Sequence, residues 1–478
     1  MMNVKELEKL RPCGRLETYS TGRHHLGYYN NVGLTATYTS LSGSSESLES
    51  IVYTALQAVV AEHTVLSAIP LDEEKSYPNV YFARLPTIDL RTCVEFRKRK
   101  EITPGDNEEN EELKQMLTEE HSHNFKDNLG TKPFWRFIVL TSPGATSSFT
   151  AAWFFHHALA DGTSATLFHN TFLKALNSQG ATPSAEPIVP SPNTPLPPFF
   201  EDQHPLPISW PFFLRTLAKI FFPSIFAKRP PTLWTGAPLP ATLTNPSSHF
   251  QTLAFSTELT QSLAKLARRH TTSMTATLEC IFATALFAHL SKDKYDQLIS
   301  SNPIAMRPFL KDVPDAQMTN AITSYSYTHD RRGAGETSAS ADFDWAETQN
   351  VKSVIADTLA LKGRDNPIAL LRYVSNIHEY LTSHMGKLRD ASFEVSNIGV
   401  MKAPADGQWK LGRVVFSQCA NPVGAAVGMG IVTGGDGCAS LCFYWGEGVD
   451  QELMEKVVQE VKGLIEGLVQ REAEEAER

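Results

Sequence analysis

The sequence predicts an α/β protein of two domains, and three observations carry that reading. The chain has 478 residues, more than one ordinary hydrophobic core organises. Apolar residues recur at helical spacing in some segments and alternate at strand spacing in others. Between positions 180 and 248 lie over half of the 29 prolines, which cannot sit inside helices or central strands. That stretch is read as a crossover. The expected division is residues 1–180, a linker at 181–248, and residues 249–478.

Bulk properties exclude several classes of function. With 42% apolar and 20% charged residues the chain reads as soluble and globular. A net charge of -9 argues against nucleic-acid binding. Cys13, Cys93, Cys280, Cys419, Cys438 and Cys442 form no CxxC pair, so neither a disulfide framework nor a zinc spacing is present. A reducing, cytoplasmic location is expected. The first residues, MMNVKELEKLRPCG, are too charged for a secretory signal. No run approaches the roughly 20 apolar residues of a membrane span. Neither G-x-S-x-G nor H-E-x-x-H occurs, which removes the serine-hydrolase and zinc-protease readings.

In chain order, VGLTATYTS (32–40) predicts a strand and LESIVYTALQAVVAEH (48–63) an amphipathic helix, followed by a strand at VLSAIPL. Residues 99–123 are strongly charged and predict a solvated loop and helix rather than a ligand patch. KPFWRFIVL (132–140) predicts a strand, joined through TSPGATSS to the next as a hairpin. In the proline-rich stretch, WPFFLRTLAKIFFPSIF (210–226) is apolar and aromatic but broken by Arg215, Lys219 and Pro223. Packing between the domains, or walling a substrate channel, is set above contact with a membrane or lipid-droplet surface. Residues 256–290 hold two helical patterns, the second nearly all apolar. DQLISSNPIAMRP (296–308) is a strand ending in Met306-Arg307-Pro308, GAGETSAS (333–340) a loop, and FEVSNIG (393–399) a strand. The glycines of GAAVGMGIVTGGDG (424–437) satisfy no nucleotide fingerprint and read as strand and turn, paired with CASLCFYW. The last stretch, from 450, is an amphipathic helix with Leu453, Val457, Val461, Leu464 and Leu468 on one side.

The chemistry concentrates at FTAAWFFHHALADG (149–162). Phe149, Ala151, Trp153, Phe155 and His157 share one face of a strand. The strand stops at His156-His157; Asp161-Gly162 is a turn signal, and Thr163 or Ser164 can cap the helix that follows. A neutral imidazole at the end of a buried strand suits a general base. Asp161 could act directly or pin the turn; His156, His157 and Asp161 could contribute to a metal site, lacking one ligand. A second doublet, His24-His25, has Tyr29 where the aspartate would stand and is read as structural.

The H-H-x-x-x-D-G spacing resembles the signature of the CoA-dependent acyltransferase superfamily. The opening R-P-x-G-x-x-E segment and the S-N-x-G strand are similar to the fungal alcohol acetyltransferases. The resemblance implies two chloramphenicol-acetyltransferase-like domains, each a mixed β-sheet flanked by helices, with the channel at their interface. It implies that His157 is the base, His156 a supporting member of the motif, and Asp161 a structural anchor followed by the turn residue Gly162. Arg307, in Met306-Arg307-Pro308, resembles the arginine that pairs with the aspartate. The D-F-G-W-G of plant relatives is absent, leaving Ser396 and Asn397 as candidates for the oxyanion or channel. The implied reaction transfers an acyl group, acetyl first among them, from acyl-CoA as cosubstrate to a small-molecule alcohol. No tightly bound cofactor and no metal are expected, and the protein is expected to be a monomer. A carrier-protein donor, an amine acceptor and a non-enzymatic binding protein are the alternatives.

Overall fold

The strand that leads to the histidine pair, Ser148–Phe155, lies in the middle of a five-stranded sheet. The structure is a computed structural model describing residues 4–41, 46–100, 110–143, 147–178, 186–226, 229–242, 246–311, 313–314, 316–331, 343–402 and 406–477. The strand's neighbours, Val32–Ser40 and Trp135–Thr141, are both antiparallel. Val94–Lys98 extends one edge in parallel, and Trp409–Gln418 forms the other. Phe149, Ala151, Trp153 and Phe155 enter the main core, while Ala152 and Phe154 enter a smaller one with Phe250. Central strands buried on both faces read this way, and each buried aromatic ring contributes about 1.5–3 kcal/mol. The helix Gly162–Ser178 covers the first face, where Trp153 stacks on Phe168 with centroids 4.1 Å apart.

The second sheet has six strands in the order His249–Ala254, Ala439–Trp445, Val427–Thr433, Phe393–Val400, Gln297–Ala305 and Ile322–Asp330. Phe393–Val400 runs parallel to both of its neighbours. Val427–Thr433 and Ala439–Trp445 pair antiparallel across the glycine turn, so those glycines build a hairpin. The helices Thr257–Arg269 and Met274–His289 begin on Ser256 and Ser273, whose hydroxyls accept the Leu259 and Ala276 amides at 3.2 Å. Val457, Val461, Leu464 and Leu468 of the last helix, Gln451–Glu477, are buried in the same core, with Leu453 packed at its edge.

Several elements depart from the sequence reading. Trp409–Gln418 crosses from the second half of the chain into the first sheet, pairing Val414 with Ala36 and Phe416 with Leu34. The division expected at 249 is thus not the boundary between the sheets. Residues 15–25 form a helix with a buried polar face, including Glu17, Thr18, Ser20, Thr21, Arg23 and His24. The strand within VLSAIPL, Ala68–Leu71, belongs to a separate three-stranded sheet with Glu8–Pro12 and Tyr81–Arg84. The charged segment is not simply solvated: Glu111–Ser122 buries Leu113, Met116, Leu117 and Glu120, the last held by Arg97 and Arg136 at 2.7 and 2.8 Å. Trp210–Phe221 buries no residue, and Trp210 (75% exposed), Leu214 and Phe221 (69%) face outward. Its other side is half-buried at Phe212, Phe213 and Leu217, and Phe213 meets Tyr373 of the second half of the chain with ring centroids 5.3 Å apart, so the expected packing is partial. The loop at 333–340 and parts of the charged, hairpin and proline-rich segments (101–109, 144–146, 179–185, 227–228 and 243–245) lie outside the described residues.

Candidate active site

After Phe155 the chain leaves the sheet, turns through the histidine pair and re-enters regular structure at Gly162. The two imidazoles go opposite ways. His156 is buried, its Nδ1 accepting the Ala158 amide at 3.0 Å. Its Nε2 therefore carries the proton, and faces Glu73 Oε1 at 3.1 Å at an angle short of a full hydrogen bond. The other oxygen of Glu73 lies 2.7 Å from His24 Nδ1, whose opposite nitrogen accepts the Phe125 amide at 3.1 Å. Two histidines distant in sequence thus share one buried carboxylate, with their rings edge to face at 4.4 Å. Burial alone would raise the Glu73 carboxyl, but His24 and His156 outweigh it and hold it at about 2. Burial and the neighbouring His24 push His156 down to about 4.

The geometry disposes of the metal reading for this motif. His156 turns toward Glu73, and Asp161 toward the following helix, so they do not converge with His157. His24, Glu73 and His156 do converge. Yet each imidazole offers the carboxylate an N–H, because its outer nitrogen already accepts a backbone amide, and a metal needs the lone pair. The His24-His25 doublet divides its contacts between two neighbourhoods. His24 braces the motif, and the half-buried His25 meets His378 edge to face at 5.1 Å.

His157 is only partly covered and lines a cavity of about 510 Å³. Burial, and next the charge of Arg23, push its imidazole down to about 3, so it is neutral at physiological pH. The carbonyls of His157 itself and of Ala160 act on the ring and favour a proton on the nitrogen they face. The other nitrogen keeps its lone pair. Asn320 Nδ2 donates to the His157 carbonyl at 2.8 Å and stands 3.4 Å from Nδ1. Tyr29 lies tilted beside the ring, with centroids 5.7 Å apart. The cavity draws its wall from both halves of the chain. Leu16, Tyr19, Arg23 and Tyr29 come from the first; Ser301, Thr323, Glu394, Gln418 and Tyr444 come from the second.

Asp161 points away from this cavity and caps the helix. Its Oδ1 accepts the Ser164 amide at 2.8 Å, and its Oδ2 accepts the Ala321 amide at 3.2 Å. The cap is therefore Asp161 rather than Thr163 or Ser164, because the helix starts at Gly162, earlier than either Ser/Thr cap would allow. Arg307 Nη2 stands 3.5 Å from Asp161 Oδ1, and donates at 2.9 Å to the Ser164 hydroxyl between them. Ser164 Oγ also lies 2.9 Å from Asp161 Oδ1 and accepts the Thr319 amide at 3.1 Å. One hydroxyl thus ties the motif to the segment before Ile322–Asp330. Gly162 is the first helical residue and needs no unusual φ; a Cβ there would come 2.6 Å from Ile398 Cγ2. Its smallness serves close approach to the second sheet instead of the turn.

Ser396 and Asn397 do not line the cavity. The Asn397 amide donates to Thr275 Oγ1 at 3.0 Å, and its carbonyl oxygen accepts the Gly399 amide at 2.8 Å, which fixes the strand end. The sequence reading also missed Glu73, Asn320 and Arg23, and named Ser164 only as a possible helix cap. Only Arg23 stood near a quoted motif, and nothing in its spacing distinguished it.

Two mixed sheets, a strand-end histidine and a cavity drawing on both define a two-lobed acyltransferase fold of the condensation type. Residues 12–462 match the alcohol acetyltransferase family, and the chain belongs to that family. It is 33% identical over 459 residues to the probable alcohol acetyltransferase crmB of Aspergillus fumigatus, covering 92% of this chain and 95% of that one. It is 23% identical over 488 residues to the probable alcohol acetyltransferase FCK4 of Fusarium pseudograminearum, covering 96% and 95%. Among solved structures, the trichothecene 15-O-acetyltransferase TRI3 of Fusarium sporotrichioides superposes with a TM-score of 0.71 at 12% identity, over 96% of this chain and 95% of that one. The first condensation domain of the calcium-dependent antibiotic synthetase gives 0.59 at 14%, over 98% and 97%. At those identities the structural likeness concerns the fold alone.

Proposed function

We propose that the protein transfers an acyl group, acetyl first among candidates, from a CoA thioester to the hydroxyl of a small-molecule alcohol. The observation that carries this reading is His157: a neutral, partly exposed imidazole in a cavity wall, beside an Asp161 wholly engaged in holding backbone. The free ring nitrogen takes the acceptor's proton as its oxygen attacks the thioester carbonyl. The tetrahedral intermediate then expels the thiolate, which recovers the proton from the imidazolium, and no acyl-enzyme forms. Neutrality in the resting state suits the first step, since a protonated ring could not accept. The family membership and the relatives named alcohol acetyltransferases support the acyl transfer. The choice of CoA over a carrier-bound donor, and of an alcohol over an amine, belongs to this proposal. Purified protein offered a panel of acyl-CoAs with alcohols and amines should release free thiol only when an alcohol is present. Release with amines alone, or only from a carrier-bound donor, would overturn it.

We further propose that the protein meets anionic lipid surfaces through Trp210–Phe221. Trp210, Leu214 and Phe221 form one exposed stripe, Arg215 and Lys219 are exposed on the same helix, and no acidic residue interrupts it. Such a helix can lie in the headgroup layer with its basic side chains turned to phosphate. No helix among the described residues is long and apolar enough to cross a membrane.

A further inference from the structure

One charge in the cavity wall lacks a partner. Arg23 is 7% exposed and lines the cavity that holds His157. Its guanidinium packs over the rings of Tyr19 and Tyr29, 4.4 Å from each centroid. Among the described residues it makes no ion pair or hydrogen bond, and its Nε is buried without an acceptor. A buried guanidinium without a counter-charge is costly, and proteins pair such groups or offer them to a ligand. The acidic residues of the same cavity do not serve. Asp390 is exposed. Glu394 receives the Tyr444 hydroxyl at 2.7 Å, and burial pushes its carboxyl up. Tyr444 in turn accepts from Gln418 at 3.1 Å, and Tyr29 donates to Gln418 at 2.9 Å. That chain of side chains satisfies itself, and Arg23 acts on Glu394 only as a nearby charge that opposes the effect of burial, with no ion pair or hydrogen bond between them among the described residues.

Resting on the acyl-transfer reading above, we propose that Arg23 binds a carboxylate of the acceptor, making hydroxy acids the preferred class of alcohol. A guanidinium stacked on aromatic rings presents its N–H edge, whose fork matches the two oxygens of a carboxylate. Tyr29 touches both partners, packing under Arg23 and lying beside the His157 ring. The acceptor's anion and its reacting hydroxyl are therefore held by neighbouring parts of one wall. A carboxylate there would also cancel the positive field that opposes protonation of His157, so the base strengthens when this acceptor is bound.

The test compares acids with their own methyl esters, which keep shape and hydroxyl but remove the charge. Hydroxymethylbenzoate and ω-hydroxydodecanoate, each beside its ester, are assayed by thiol release from acetyl-CoA with wild type, Arg23→Gln and Arg23→Lys. Wild type should favour at least one acid over its ester by about 10- to 100-fold in kcat/KM, the worth of a charged hydrogen bond. Arg23→Gln should abolish that ratio, lowering kcat/KM for the acids relative to that for their own esters. If Arg23→Gln does not fold, the wild-type ratio and the weakened preference of Arg23→Lys decide. Equal use of acid and ester by wild type, or a preference that survives in Arg23→Gln, would overturn the proposal. Absence of thiol release with every acceptor would instead count against the reaction. Calorimetry then decides for the site: acid binding tighter to wild type than to Arg23→Gln upholds it, and equal or absent binding rejects it.

Discussion

Asp161 gives its carboxylate to the backbone amides of Ser164 and Ala321, with Arg307 reaching it mainly through the Ser164 hydroxyl. Removing either charge strands the other in a nearly dry site. Asp161→Ala and Arg307→Ala should each destabilise the fold by about 3–5 kcal/mol, the cost of breaking a buried pair. The double variant should lose less than the sum, with a coupling of about 0.5–3 kcal/mol in urea unfolding. Strict additivity would separate the two residues. Glu73→Ala should also destabilise by about 1–3 kcal/mol for each imidazole N–H left without its carboxylate, read from the same unfolding curves. The histidine motif was legible because its spacing is local: one strand end, one turn, one helix start. Glu73 was not, since in DEEKS it resembles any surface acid and its partners His24 and His156 come from other elements. Arg23 was hidden for the same reason, as its meaning lies in the partner it lacks.

At the scale of elements, strong apolar periodicity was read correctly and polar burial was not. The helices at Thr257–Arg269 and Met274–His289 and the closing hairpin announce themselves by spacing. Arg15–His25 does not, because the face it buries is made of Thr, Ser, Arg and His. Gly162 marks where the motif's helix presses on the second sheet. Gly162→Ala should cost about 1–3 kcal/mol of overpacking against Ile398, and Ile398→Ala should recover part of it by clearing the contacting methyl. No recovery in thermal unfolding would mean that the glycine serves the turn after all. Trp210–Phe221 packs on one side only, through Phe213 on Tyr373, because apolar composition alone does not say which surface is covered. If it lies on lipid, the full chain should co-sediment with phosphatidylserine-containing vesicles, and Trp210→Ala with Phe221→Ala should reduce that by tenfold or more. Unchanged co-sedimentation would reject the helix as the contact.

The whole molecule holds histidines neutral in its interior, and this sets its response to acid. Burial pushes His121 down to about 3, and His156 and His169 to about 4. A depressed histidine contributes stability above its unfolded pKa of about 6.5, and loses it as pH falls toward the folded value. Each should remove about 1.4 kcal/mol per pH unit in that window. His329, raised by Glu279 and Glu347 against its own burial, has the opposite sign: its contribution is full below the unfolded pKa and fades as pH rises through the folded one. Urea unfolding should therefore show stability falling between pH 6.5 and about 4, with His169→Gln lowering the slope by about one proton. A flat profile would contradict the neutral burial of these rings. The crossing strand Trp409–Gln418 joins the two sheets into one frame around the cavity, a long-range pairing that no local signal announces. Within that frame the central claim is that His157, rather than its buried neighbour, moves the acceptor's proton. Steady-state thiol release from acetyl-CoA with an alcohol acceptor tests it most directly. His157→Ala should keep its fold and lose roughly 10² to 10⁴ in turnover, while His156→Ala loses stability and less activity; equal, mild losses of turnover in both would contradict it.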